Sequence, residues 1–121
     1  MFRADFDKSK NLLTFSFSGH VTETETRQWR EKLTELLAGV RPGFKLLSDF
    51  SDLETMDLAC VPDIELSMDL CDKAGIGKVV RIIKDPRKDI GFNILSVFHY
   101  RRRIPIVTCE TMEEALRALA D

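Results

Sequence analysis

Three cysteines are all that the 121 residues offer to a disulfide framework, and with two histidines they are the only thiol or imidazole ligands for a metal centre. Cys60, Cys71 and Cys109 are odd in number and lack C-x-x-C spacing. They predict neither a disulfide-stapled fold nor a zinc site, and they read as small buried hydrophobes in a reducing compartment. His20 and His99 stand far apart, without H-x-x-x-H or H-E-x-x-H spacing, so no metal and no cofactor is expected. No apolar run approaches the roughly 20 residues that a membrane-spanning helix needs. The formal net charge of -2 lacks the basic excess of a nucleic-acid binder. The N-terminal residues have neither a basic region nor an apolar core of the secretory kind, so the expected location is cytoplasmic. Repeats and low-complexity stretches are absent.

What is present is ordinary for a globular domain: 44% hydrophobic and 31% charged residues. Such a composition excludes a disordered tail, and the length fits one domain over residues 1–121. Phe2, Ala4 and Phe6 alternate with Arg3 and Asp5, and Leu13, Phe15 and Phe17 alternate with Thr14 and Ser16. Period-2 alternation around the polar turn 7–11 predicts an antiparallel hairpin. Thr22 with Glu25 forms a capping box, and Trp29, Leu33, Leu36, Leu37 and Val40 follow at helical spacing until Pro42-Gly43. A third strand is expected over 44–50, and 51–61 is too irregular to assign. Pro62 suits the first turn of a helix reaching residue 74, with Ile64, Met68 and Cys71 in one stripe. Residues 78–84 are apolar at both parities, as in a strand covered on both faces. Asp89 can cap a helix to residue 100, and a short strand covers 104–107. Thr111 with Glu114 caps a last helix with Met112, Ala115, Leu116 and Leu119 as its core face. The order β-β-α-β-α-β-α-β-α predicts an α/β sandwich: a mixed, mostly parallel five-stranded sheet with four helices. The polar residues Thr14, Ser16 and Ser18 imply that one sheet face is partly open there.

The exit of the third strand reads Leu47-Ser48-Asp49-Phe50-Ser51-Asp52-Leu53-Glu54-Thr55-Met56-Asp57-Leu58-Ala59-Cys60. Together with the element order, this resembles the STAS domain of the SpoIIAA-like anti-sigma-factor antagonists, over about 2–119. In that family an apolar strand ends near an aspartate, here matched by Asp49. A loop with Asp-Ser-Ser/Thr-Gly then precedes a helix, and Asp57 matches the motif's aspartate. The resemblance implies a STAS/SpoIIAA-like sandwich and a non-catalytic, regulatory, protein-binding role. In the family the motif's serine takes a phosphate from a partner kinase. Leu58-Ala59-Cys60 has no hydroxyl there, so the resemblance does not imply that switch. Ser48, Ser51 and Thr55 are nearby hydroxyls at non-matching positions, and turn or cap hydrogen bonds account for them. Some STAS-related proteins without the acceptor are grouped with lipid-binding folds. The resemblance therefore keeps a carrier of a small apolar or anionic ligand, bound at the rim of the sheet, as the alternative function.

In open parallel sheets, ligands bind beyond the carboxyl ends of the strands. The candidate interaction loop on that rim comprises Asp49, Ser51, Asp52, Thr55, Asp57 and Leu58. A Ser-His-Asp reading of Ser51, His20 and Asp49 lacks the G-x-S-x-G elbow, so no catalytic residue is assigned and no enzyme is expected. In the 89–100 helix, Phe92, Leu95 and His99 form a second face opposite Ile90. That face is a candidate interface, most simply a homodimer, or it is covered by neighbouring elements. Lys84, Arg87 and Lys88 are candidate anion-binding residues, whereas Arg101-Arg102-Arg103 also complements a helix C-terminus. Glu65, Asp69 and Asp72 recur at helical spacing and read as a solvated face.

Overall fold

A computed structural model describes residues 1–85, 99–100 and 104–121. The helix expected over 89–100, apart from its last two residues, and the triple arginine lie outside the described residues. Strand β1 (Phe2–Asp7) pairs antiparallel with β2 (Leu12–Phe17), as the alternation predicts, with Phe2 opposite Phe17. Leu13, Phe15 and Phe17 are buried while Leu12, Thr14 and Ser16 are half-buried, so the pattern places one face of β2 in the core. Gly19, at φ +68°, lets the chain turn out of β2 into a short strand β3 (Gly19–Val21).

Helix α1 (Glu23–Leu37) starts where the capping box predicts, with the Thr22 hydroxyl accepting from the Glu25 amide at 3.4 Å. Strand β4 (Lys45–Asp49) follows, then β5 (Leu53–Met56), a 3-10 turn (Leu58–Cys60) and α2 (Val61–Lys73). Pro62 sits in the first turn of α2, where its missing amide costs nothing. After β6 (Lys78–Ile82) come β7 (Ile106–Cys109) and α3 (Met112–Ala120), capped by Thr111 through the Glu114 amide at 3.2 Å.

The main sheet has the order β1-β2-β4-β6-β7, with β1 antiparallel and the other pairings parallel. This is the mixed five-stranded sheet expected. Helices α1 and α2 cover one face, burying Trp29, Leu33, Ile64, Met68 and Cys71 against Leu13, Phe15, Leu46 and Val79. Helix α3 packs on the other face over β4, β6 and β7, through Ala115, Leu47, Val80, Ile82 and Cys109, with Leu12 of β2 at the margin. Valines 79 and 80 therefore pack on opposite sides, which explains the apolar run at both parities. Gly77 is required by close approach: a Cβ there would stand 2.8 Å from the Gly43 carbonyl oxygen.

Three of the four expected α-helices lie among the described residues, and the fourth, over 89–100, falls outside them but for its last two residues. Two expectations change. Residues 51–61 are not irregular: β5 pairs in parallel with β3 as a separate two-stranded sheet, which also makes 19–20 part of a strand. On α3, Met112 and Leu116 are 42% and 56% exposed rather than core. The helix lies close to the sheet through small Ala115, so only a narrow stripe with partly buried Ala118 and Leu119 makes contact.

Candidate functional site

The small sheet, the 3-10 turn and the start of α2 stand at the carboxyl ends of β2 and β4, where this topology places ligands. Asp49 ends β4, and its Oδ1 accepts from the Ser51 amide at 3.0 Å and the Ser51 hydroxyl at 2.6 Å. This pair is an Asx-type turn that closes the loop, as the turn reading of Ser51 expects. The Asp52 carbonyl accepts from the Gly19 amide at 2.9 Å, which docks the loop on β3.

His20 does not join Asp49 and Ser51. It lies opposite Thr55 in the β3–β5 register, next to a bulge at Gly19/His20. Its Nδ1 is 2.6 Å from Thr55 Oγ1, and its Nε2 is 3.0 Å from Asp57 Oδ1. Asp57 continues β5 by one residue in an extended conformation, so it shares a face with Thr55 two residues before. The chain thus builds a hydroxyl–imidazole–carboxylate row on an exposed surface. Leu58, the next residue, is 88% exposed at the head of the 3-10 turn. The loop residues Asp49, Ser51, Asp52, Thr55, Asp57 and Leu58 are therefore brought to one end of the sheet. Lys84 is exposed just beyond β6, while Arg87, Lys88, Phe92 and Leu95 lie outside the described residues.

The α2 carboxylates are not simply solvated. His99 Nδ1 is 2.8 Å from Asp69 Oδ1 and His99 Nε2 is 2.9 Å from Glu65 Oε2, with 17% of the imidazole exposed. Both ring nitrogens face acceptors, so the imidazolium is the form that satisfies both. Burial opposes that charge, but the two carboxylates outweigh it and hold the His99 pKa above its ordinary value. Folded His99 therefore binds its proton more tightly than unfolded His99. The stabilisation is complete below the unfolded value of 6.5 and is lost as pH rises through the higher folded value. Urea midpoints measured from pH 6 upward should fall across this window in the wild type. His99→Gln should flatten the decline, and an unchanged profile would refute the clamp.

The three cysteines are buried and free, as their sequence pattern suggests. Burial pushes the Cys71 thiol up to about 12, which makes it a poor nucleophile. Among the described residues, no group of three metal-ligating side chains is arranged to hold an ion. No helix among them is long and apolar enough to cross a membrane.

No family model and no curated protein matches the chain. Solved structures do. An uncharacterized protein with a SpoIIAA-like fold from Shewanella loihica superposes with a TM-score of 0.74 at 21% identity, over 98% of this chain and 93% of its own. The anti-sigma factor antagonist SpoIIAA in its unphosphorylated form superposes at 0.70 and 16% identity, over 99% and 98% of the two chains. An anti-sigma factor antagonist from Mycobacterium paratuberculosis superposes at 0.60 and 18% identity, over 100% and 96%. Whole-chain superposition at such low identity is a statement about architecture, and the architecture of this chain is the SpoIIAA-like STAS fold.

Proposed function

We propose that the chain is a regulatory protein-interaction module that docks a partner through residues 51–58 and the start of α2, without catalytic turnover of its own. The observation that carries this reading is Leu58, left 88% exposed on an ordered turn beside the β3–β5 sheet. A side chain of that size gains about 1.5–3 kcal/mol when a partner covers it. Exposed Asp52, Glu54 and Asp57 flank it, so this loop is acidic and suits a partner with a basic rim. The fold shared with anti-sigma factor antagonists supports the same reading.

A ligand carrier is favoured less. The cavity lined by Phe15, Trp29, Ser48 and Arg81 holds about 30 Å³, room for a water. The hollow at the rim, lined by Arg3, Ser16, Asp49, Ser51 and Asp52, is larger at about 360 Å³, but it is polar where small-molecule sites are mostly apolar.

Docking is tested with a photo-crosslinking residue at exposed Ala59 in cells that express the protein, with exposed Glu113 as the control position. A discrete heteromeric adduct is expected from 59 and none from 113. Leu58→Asp should reduce that adduct about 10- to 100-fold, the equivalent of one buried leucine. Equal labelling from both positions, or insensitivity to Leu58→Asp, would reject the loop as the docking surface.

A further inference from the structure

We propose that Thr55 is a nucleophilic acyl acceptor, its hydroxyl activated by His20 and His20 held in place by Asp57. This goes beyond the docking reading and stands independently of it. The carboxylate of Asp57 can only accept, so neutral His20 carries its proton on Nε2 and donates to Asp57 Oδ1 at 3.0 Å. That leaves Nδ1 as the acceptor, and the Thr55 hydroxyl donates to it at 2.6 Å. A hydroxyl bonded to a base that is itself oriented by a third group is the arrangement that activates an oxygen nucleophile. Here the parallel pairing of β3 with β5 sets it, and the bulge at Gly19/His20 accompanies the turn of the imidazole toward Thr55.

The surroundings select the electrophile. His20 and Asp57 side chains are 53% and 47% exposed, so a reagent reaches the row from solvent. The exposed carboxylates Asp52, Glu54 and Asp57 at the row disfavour an anionic donor such as an acyl phosphate or a nucleoside triphosphate. A neutral activated ester or thioester meets no such field. In the step, Thr55 Oγ bonds to the carbonyl carbon while its proton passes to His20 Nδ1. The bond to the leaving group then breaks, and the leaving alcohol or thiol departs with the electron pair and takes the proton from His20. The product is an ester on Thr55.

The experiment exposes the intact protein to p-nitrophenyl acetate, a neutral ester, and follows p-nitrophenolate release and the acetylated peptide by mass spectrometry. One acetyl group per chain on Thr55 is expected. Thr55→Val should abolish that adduct, and His20→Gln should slow it by about 100-fold, the usual size of a general-base contribution. Acetyl phosphate should react more slowly, and added salt should narrow the gap by screening the carboxylates. Because all three side chains are on the surface, circular dichroism of each variant is expected to match the wild type. Acetylation confined to lysines or to His20, or a Thr55 adduct whose rate ignores His20→Gln, would overturn the proposal.

Discussion

Trp29→Ala should lower the unfolding free energy by about 3–5 kcal/mol, the cost of emptying a large aromatic site in a packed core. Trp29 is 1% exposed, stacks on Phe15 with centroids 4.1 Å apart, and meets Phe17 edge-on at 6.2 Å. Phe50 closes the group from beyond β4, 5.6 Å from Phe15 and 6.1 Å from Phe17. These rings are the contact by which α1 rests on β2. Removing the indole leaves Phe15 and Phe17 without a partner on one side, and a stiff sheet cannot collapse into the space. Domains of this kind are stable by about 5–15 kcal/mol, so a large share of the total rests on this side chain. Urea unfolding should show a lower midpoint at an unchanged slope, which separates lost stability from a changed unfolded state. Trp29→Phe should cost much less, since it keeps the stack. A loss below about 1 kcal/mol for the alanine variant would mean that the aromatic group is not the core it is taken to be.

The parts legible in the sequence are those fixed by neighbours in the chain. The alternation of Leu13, Phe15 and Phe17, the boxes at Thr22 and Thr111, and Pro62 each carry a local physical instruction. Each forms as read. The both-sided burial of β6 is legible for the same reason, because a run of Val79, Val80, Ile82 and Ile83 tolerates no solvent face. What stayed hidden depends on distant pairing. Strands of three and four residues have too little periodicity to be seen, and β3 meets β5 only because the main sheet brings 19–21 beside 53–56. The row from Thr55 through His20 to Asp57 was hidden with it: Thr55 is 35 positions from the histidine it touches. The acidic face of α2 looked solvated because His99, 30 and 34 positions away, leaves no mark on α2's own sequence. The α3 error has another origin. Helical spacing says which residues share a face, but not how wide a face the sheet edge can cover, and Leu116 falls outside that width.

Asp63→Ala is the second large effect, and it couples stability to the docking end. Asp63 lies in the first turn of α2, where its charge complements the helix dipole. Its Oδ1 accepts from Arg30 Nε at 2.8 Å and its Oδ2 accepts from the fully buried Thr26 hydroxyl at 3.2 Å. Two residues of α1 are thereby tied to the turn of α2 that follows Leu58. Breaking a buried ion pair from one side costs about 3–5 kcal/mol, because the remaining charge loses its partner. The Arg30 side chain is 32% exposed and can turn to water, so about 2–3 kcal/mol is expected here. A double-mutant cycle with Arg30→Met separates the two contributions: with the guanidinium gone, Asp63→Ala should cost clearly less than in the wild type. Hydrogen exchange of the 58–64 amides should accelerate in Asp63→Ala more than that of β4 or β6, since the tie it cuts holds α2 to α1 and not the sheet. If the cycle showed no coupling, or if exchange rose equally everywhere, Asp63 would be an ordinary helix-start carboxylate. The position of the docking loop would then have to come from the β3–β5 pairing alone.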